Sequence, residues 1–251
     1  MARWLAAQGI HRLSVLEGGL SGWRDAGFPV DTLQGALPVK VEDSRRMAAV
    51  AVRPESFLPS LADQYLLDGG SPTRRRLTTL FVDIAGSTRL LEHHPPEAVL
   101  AFVQRFMRLV TEVALAYCGD VKDFEGDGAL LYFESTAHAT EAALAIRAAL
   151  AGGACEGPCP VIVRISLTVG QVVVGLVGSA MRQAIALVGT SVHVGARLLK
   201  IVPPGGIITT SEFVESLQVD GPELAKEFRL RDQAFEVPGT DGITVTTYAI
   251  L

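Results

Sequence analysis

The stretch RRLTTLFVDIAGSTRLLE, residues 75–92, contains an apolar run followed by an acidic residue and a turn of small residues. Leu77 to Val82 has the continuous hydrophobic character of a buried strand, and Asp83 stands at its end. The small residues Ala85 to Ser87 predict a turn that opens a helix. The segment therefore predicts a strand, a carboxylate and a helix start within a few residues of one another.

The predicted helix start suits an anionic ligand. The first N–H groups of a helix have no internal partner, so those of Gly86, Ser87 and Thr88 can bind phosphate oxygens. A carboxylate beside such a phosphate cradle can hold Mg²⁺, which bridges carboxylates and substrate phosphates. Asp83 and this turn together predict a metal and triphosphate site.

A second acidic residue stands in the stretch VKDFEGDGALLYF, residues 121–133. Gly126 and Gly128 bracket Asp127 between two strand-like runs, which predicts a hairpin with a carboxylate at its turn. Each pattern alone is more often an Asx turn or a simple hairpin corner. Asp83 and Asp127 together suggest a two-metal nucleotide site.

Four segments occur in an order typical of one family: FVDIAGST, VKDFEGDGALLYF, VRISLTVGQVVVGLVGSAMR and VGTSVHVGARL. On these motifs, residues 74–251 resemble the class III adenylate and guanylate cyclase catalytic domain. The resemblance implies an α+β fold, a ferredoxin-like sandwich of a mostly antiparallel sheet with covering helices. It also implies a homodimer with two composite sites at the subunit interface.

The resemblance assigns roles to individual residues. Asp83, Asp127 and the carbonyl of Ile84 would bind two divalent ions, Mg²⁺ or Mn²⁺, in one subunit. Arg197 of the other subunit would stabilise charge on the phosphates in the transition state, as an arginine finger does. His193 falls on the position of an asparagine that positions the ribose, and it can still form a hydrogen bond there.

The base-reading positions depart from the family pattern. The adenine-reading lysine usually lies four residues before the second metal aspartate, where this chain has Asp123, whereas Lys122 lies five before Asp127. Lys122 reaches the base only if an extra residue, such as Glu125, forms a bulge. The second base-reading position falls on Ala186, which offers no side-chain hydrogen bond. The sequence therefore predicts weak discrimination between ATP and GTP.

Composition and charge bound the class of protein. The chain has 251 residues, 49% of them hydrophobic, with a net charge of -5 and a pI near 5.6. This acidic balance argues against nucleic-acid binding. The basic run Arg74 to Arg76 predicts a solvated boundary before the first core strand. Three cysteines, an odd number, favour a reducing cytoplasm, with Cys155 and Cys159 as free loop thiols.

Periodicity and punctuation predict several elements. Ala98 to Cys118 has apolar residues at helical spacing together with charges, so it predicts an amphipathic helix rather than a transmembrane segment. Thr136 is expected to cap the next helix, which runs to Ala151. The β-branched segments Val161 to Thr168 and Gln171 to Val177 predict two strands.

The N-terminal part follows a different pattern. On the stretch WLAAQGIHRLSVLEGGLSGWRDAGFPV, residues 4–30, residues 1–32 resemble the C-terminal end of a rhodanese domain. None of the three cysteines stands in a loop like the active-site loop of that family, which argues against sulfurtransferase activity from this chain. Residues 33–73 predict a connector with a helix from Pro54 to Leu67, ended by Gly69, Gly70 and Pro72.

Two functions fit these observations. The first is a cytoplasmic, homodimeric, metal-dependent cyclase that converts ATP to 3′,5′-cyclic AMP and pyrophosphate, with GTP as a further possible substrate. The second is a degenerate cyclase-homology module that dimerises or senses a nucleotide without turnover. The retained Asp83, Asp127 and Arg197 favour the enzyme, and the altered positions at Ala186 and His193 favour the module.

Overall fold

A computed structural model describes residues 60–67, 70–155, 161–179 and 181–250. Residues 1–32, for which the resemblance to a rhodanese end was expected, residues 33–59 of the expected connector, and Cys159 lie outside the described residues. The helices are α1 (Ser60–Leu67), α2 (Ser87–His93), α3 (Pro96–Ala116), α4 (Thr136–Ala151), α5 (Thr190–Leu199), α6 (Ser211–Asp220) and α7 (Pro222–Ala225). The strands are β1 (Thr73–Ile84), β2 (Asp120–Glu125), β3 (Gly128–Phe133), β4 (Val163–Ser179), β5 (Arg182–Val188), β6 (Ile207–Thr210), β7 (Arg229–Glu236) and β8 (Thr244–Ile250).

The strands described form one twisted sheet in the order β2-β3-β1-β4-β6-β8-β7, and β5 pairs with the far half of β4. Only the β4–β6 pairing is parallel within this described sheet. The expected α+β architecture with a mostly antiparallel sheet is therefore confirmed. The strand β1 lies centrally between β3 and β4, so the end that carries Asp83 is flanked on both sides.

One face of the sheet carries the main core. Residues such as Leu80 and Leu131 alternate toward this face and pack against the apolar sides of α3, α4 and α6, including Phe102 and Phe213. The buried positions Val99, Phe102, Phe106, Val110 and Ala114 of α3 follow helical spacing, as the sequence predicts. This face is closed to ligands because its side chains are packed together.

The opposite face carries α1 and α5. Leu77 and Tyr132 contact α1 in a separate apolar cluster, and Ile208 and Ala249 contact α5 in another. Because Asp83 lies an even number of residues from Leu77 in the same strand, it points to this second face. The candidate site therefore lies on the face of the sheet that carries α5.

Three local expectations need correction. Two strands were expected at 161–177, but β4 is continuous to Ser179, since Gly170 lets the start of α5 pass close to the strand. Ser135, not Thr136, caps α4: its Oγ accepts a hydrogen bond from the N–H of His138 over 3.1 Å. Arg74 to Arg76 lie inside β1, whose pairing with β4 begins at Thr73.

Other expectations hold. Of the helix expected from Pro54 to Leu67, the part from Ser60 to Leu67 is present, and residues 54–59 lie outside the described residues. The amphipathic helix expected from Ala98 to Cys118 is α3, which begins at Pro96, a residue type that is favoured at the first helical position. Cys118 and Cys155 are free thiols, and Cys155, which lies in the loop after α4 as expected, is buried against the core.

Candidate active site

The two predicted metal aspartates lie at the same end of the sheet. Asp83 lies at the end of β1, directly opposite Gly128 of β3. Asp127 lies in the hairpin turn just before Gly128. Gly128 permits this close approach, because a Cβ there would lie 2.9 Å from the carbonyl oxygen of Val82 and 3.3 Å from the Asp83 Cβ. Burial raises the pKa of Asp83, Arg164 acts against this rise, and the charge of Asp127 adds to it. The electrostatic effect of Asp127 on Asp83 is consistent with a shared carboxylate site.

Arg164 binds both oxygens of Asp83. It lies opposite Asp83 in the β1–β4 ladder, and its Nε and Nη2 donate to Asp83 Oδ1 and Oδ2 over 2.9 and 2.8 Å. This is a bidentate guanidinium–carboxylate pair, the strongest common form of side-chain ion pair. Sequence reasoning missed Arg164 as a site residue. The available signal was the charged residue Arg164 inside the β-branched run VRISLTV, which the sequence predicts to be a strand.

The residues of the expected phosphate cradle lie at the start of α2. The N–H of Ala85 donates to the carbonyl of Ile162 over 2.8 Å, which fixes the turn after β1. Gly86 precedes α2 with φ 78° and ψ 20° and has no neighbour where a Cβ would lie. Within the described part of the chain, no hydrogen bond is found for the N–H groups of Gly86 and Ser87. The side chain of Thr88 lies outside the described residues.

The β2–β3 hairpin contains a bulge, but at Lys122 and not at Glu125. Val121 pairs with Leu131 and Asp123 pairs with Leu130, which leaves Lys122 as the extra residue. Glu125 pairs regularly with Gly128. The hairpin therefore has no extra residue between Asp123 and Asp127.

The bulge places Asp123 on the face of the site. Leu130, its partner, pairs in turn with Phe81, which lies two residues before Asp83 in β1. Side chains that are directly opposite in antiparallel strands share a face, so Asp123 and Asp83 share one. Lys122 Nζ is 3.1 Å from Asp123 Oδ2, and only 14% of the Lys122 side chain is exposed. The structure thus presents the Asp123 carboxylate, with Lys122 bound to it, at the position where the family usually has a lysine.

The predicted catalytic residues lie on α5, which is fixed to the sheet by buried hydrogen bonds. Ser166 Oγ donates to the carbonyl of Gly195 over 2.7 Å, and Thr168 Oγ1 donates to the carbonyl of Ser191 over 2.9 Å. His193 is exposed and Arg197 is half-buried, one helical turn apart on the same side of α5. These bonds give the two side chains a rigid support.

Arg197 has no carboxylate partner in its own chain among the described residues. Its guanidinium instead lies beside Gly239 in the β7–β8 turn, where a Cβ would be 3.4 Å from Arg197 Cζ. The structure therefore does not join Arg197 to Asp83 or Asp127 within one described chain.

Ala186 lies in β5, opposite Gly175 of β4. Its neighbours Ile185 and Leu187 are buried with α1, and strand alternation turns Ala186, which is half-buried, to the other side. The position offers a methyl group and no polar atom.

The oxygen atoms of the candidate site fit divalent ions. Two carboxylates and the carbonyl of Ile84 are oxygen donors, the type that Mg²⁺ and Mn²⁺ prefer. The described residues contain no cluster of three or more histidine, cysteine, aspartate or glutamate side chains that could hold a metal. Mg²⁺ usually takes one or two carboxylates together with waters and substrate phosphates, so Asp83 and Asp127 fit ions that bind with a nucleotide.

Residues 71–251 match the family described as the adenylate and guanylate cyclase catalytic domain, and the chain belongs to this family. An uncharacterized protein of Mycobacterium tuberculosis is 29% identical over 216 residues, which cover 80% of this chain and 37% of that protein. The chain thus spans little more than a third of this relative's length.

Two solved structures share the fold. The adenylyl cyclase CyaB from P. aeruginosa is 22% identical with a TM-score of 0.62, over 72% of this chain and 96% of that chain. The non-canonical dimeric guanylyl cyclase domain of a RhoGC fusion protein from the aquatic fungus Blastocladiella emersonii is 17% identical with a TM-score of 0.57, over 72% of this chain and 98% of that chain. Among the described residues, every helix is too short or too polar to span a lipid bilayer.

Proposed function

We propose that the protein converts ATP to 3′,5′-cyclic AMP and pyrophosphate at two sites shared by the subunits of a homodimer. The observation that carries this proposal is the meeting of Asp83 and Asp127 at one end of β1 and β3, beside the turn that begins α2. A family member without catalysis has no physical need to keep two carboxylates so close that one raises the pKa of the other.

The metal ligands of the proposed site are Asp83, Asp127 and the carbonyl of Ile84. When bound there, two Mg²⁺ or Mn²⁺ ions would make the ribose 3′-hydroxyl more acidic and offset the charge of the triphosphate. The N–H groups of Gly86, Ser87 and Thr88 would bind phosphate oxygens at the start of α2. These groups orient the α-phosphorus for attack by the 3′-oxygen, with pyrophosphate as the leaving group.

Arg197 and His193 would come from the partner subunit. Arg197 has no carboxylate partner among the described residues, so its guanidinium is available for the charge that develops on the phosphoryl oxygens. His193, one turn earlier on α5, would hydrogen-bond the ribose. Both side chains project from a helix that is fixed to the sheet by buried hydrogen bonds.

The exposed apolar tip of the β4–β5 hairpin supports dimerisation. Met181 at the tip is 94% exposed, and Val177 of β4, close to the tip, is 53% exposed. A contiguous exposed apolar patch usually marks an interaction surface.

GTP is a second candidate substrate, favoured by the position of Asp123. A carboxylate only accepts hydrogen bonds. Guanine offers an amino group and a ring N–H on its pairing edge, whereas adenine offers only an amino group there. Asp123 can therefore accept from both guanine donors, with Lys122 Nζ as a neighbour at 3.1 Å.

The proposal is tested by incubating the purified protein with ATP or GTP and Mn²⁺ and separating the cyclic product from pyrophosphate. Formation of either cyclic nucleotide supports a cyclase. A protein that binds the nucleotide but releases no pyrophosphate would instead be a nucleotide-sensing module.

A further inference from the structure

We propose that Arg164 is a positioning residue that holds Asp83 and competes with divalent cations for it. This inference rests on the proposed metal site and adds to it a residue that regulates its occupancy. The contact that carries it is the bidentate pair, with Nε and Nη2 of Arg164 at 2.9 and 2.8 Å from the two carboxylate oxygens of Asp83.

The backbone fixes this pairing. Asp83 and Arg164 are direct partners in the antiparallel β1–β4 ladder, which runs without interruption from Thr73 to Ile84. Side chains of directly opposed residues share a face and are close together. Arg164 therefore reaches Asp83 without movement of any loop, and it holds the carboxylate in one orientation.

The pair is partly shielded from water. The side chains of Arg164 and Asp83 are 29% and 21% exposed, so their attraction is screened less than that of a surface ion pair. Asp127 lies close enough to act electrostatically on Asp83. In the absence of a cation, Arg164 supplies the positive charge that lets two carboxylates lie together.

A cation that binds Asp83 must meet this guanidinium. Both carboxylate oxygens already accept a hydrogen bond from Arg164, and a divalent ion placed on either oxygen would lie near a fixed positive charge. Arg164 thus lowers the affinity of Asp83 for the ion while it keeps the side chain oriented. The Asp83 carboxylate is therefore oriented before the ion binds, but its affinity for the ion is lower.

Direct Mn²⁺ binding to the nucleotide-free protein tests the inference. Free and bound Mn²⁺ are distinguished by electron paramagnetic resonance for the wild type, Arg164→Gln, Arg164→Lys and Asp83→Ala. We expect Arg164→Gln to bind Mn²⁺ at least about tenfold more tightly, since an adjacent positive charge commonly changes proton affinity of a carboxylate by one to three orders of magnitude. Arg164→Lys keeps the positive charge but loses the bidentate geometry of the guanidinium. Its Mn²⁺ affinity should therefore lie between those of the wild type and Arg164→Gln.

Two controls make the result specific. Arg147→Gln removes another half-buried arginine, whose Nη1 donates to the carbonyl of Gly205 and not to a carboxylate, and it should leave Mn²⁺ affinity unchanged. The double variant Asp83→Ala with Arg164→Gln should lose the gain. If Arg164→Gln does not fold, the intermediate affinity of Arg164→Lys decides the question.

Equal or weaker Mn²⁺ binding by folded Arg164→Gln would overturn the inference, as would a gain that survives Asp83→Ala. Cyclic product made by the wild type is measured in parallel. If the wild type is active but Arg164→Gln shows no gain in Mn²⁺ affinity, only the role of Arg164 is rejected. If the wild type is inactive but Arg164→Gln shows a gain in Mn²⁺ affinity that depends on Asp83, the proposed function is rejected and the inference is retained.

Discussion

Lys122 and Asp123 are bound to each other at a bulge, with Lys122 Nζ 3.1 Å from Asp123 Oδ2. The bulge gives Asp123 the face that Asp83 occupies, and the lysine accompanies it. A base that enters the site would meet a carboxylate and an ammonium together, with the methyl group of Ala186 as the other assigned contact.

This pair predicts a modest base preference that depends on Asp123. We expect kcat/KM for ATP and GTP to differ by about tenfold or less, equivalent to ~1.4 kcal/mol. Asp123→Ala should reduce kcat/KM for GTP more than for ATP, because guanine loses two hydrogen bonds and adenine one. Lys122→Ala should shift the ratio toward GTP, since it frees Oδ2 of Asp123, while Oδ1 still accepts from the N–H of Phe124 over 3.0 Å. A ratio that is unchanged in both variants would exclude this hairpin from base recognition.

Removal of either metal aspartate should abolish turnover and preserve the fold. Asp83 and Asp127 are half-buried at strand ends and not in the core. We expect Asp83→Ala and Asp127→Ala to lose more than about a hundredfold in kcat, since each removes a ligand that supports charge neutralisation worth several kcal/mol. Circular dichroism checks the fold. Glu236→Ala, an exposed carboxylate of the edge strand β7, is the control and should keep full activity.

Two glycines in the β7–β8 turn form a matched pair that tests the support of Arg197. Gly239 and Gly242 have φ of +71° and +74°, so alanine strains the backbone equally at both. Only at Gly239 would the new Cβ touch the Arg197 guanidinium, at 3.4 Å from Cζ. We expect equal losses of thermal stability but a severalfold lower kcat for Gly239→Ala alone. Equal kcat values would show that the turn does not position Arg197.

Asp220 should make a pH-dependent contribution to stability. Its Oδ2 accepts hydrogen bonds from the N–H of Ala137 and the hydroxyls of Ser135 and Thr136, which tie the end of α6 to the start of α4. Burial raises the pKa of Asp220, but these hydrogen bonds outweigh burial and hold the pKa below the usual 3.8.

A lowered pKa means that the ionised form stabilises the fold. The contribution is complete above pH 3.8 and is lost as the pH falls through the lower folded-state value. We expect Asp220→Asn to lower the free energy of unfolding by about 1 kcal/mol at pH 7, a typical value for a helix cap, and by less near pH 3. Urea unfolding at both pH values measures this. A constant deficit would contradict it, and Asp241→Asn in the exposed β7–β8 turn serves as the control.

Much of the fold could be predicted because its signals are local. The apolar periodicity of α3, the buried run of β1 and the Gly-Asp-Gly turn each depend on neighbouring residues. The continuity of β4 could not be predicted, because Gly170 is normally a strand breaker and is required here by the packing of Ser191. The sequence predicted the cap of α4 at Thr136, one residue after the observed cap at Ser135. This difference is within the usual uncertainty of helix ends.

The site was predicted in part for the same reason. Asp83 and Asp127 stand at turns that the sequence marks, and the structure brings them together. Arg164 and Asp123 depend on register between strands distant in sequence: β1 with β4, and β2 with β3 through a bulge. A one-residue shift reverses the face of a side chain, so without the pairing Arg164 could not be assigned to the site and Asp123 could not be assigned to the face of Asp83.

Mixing two inactive variants tests most directly the claim that Asp83 and Arg197 act together across a homodimer. Asp83→Ala and Arg197→Ala should each be nearly inactive alone. Co-expressed with different tags and purified as heterodimers, they should recover one intact site out of two, and cyclic nucleotide formation in the presence of Mn²⁺ should return to about half the wild-type rate per dimer. Heterodimers that form but make no cyclic product, from a wild type that does, would contradict a site built from two chains.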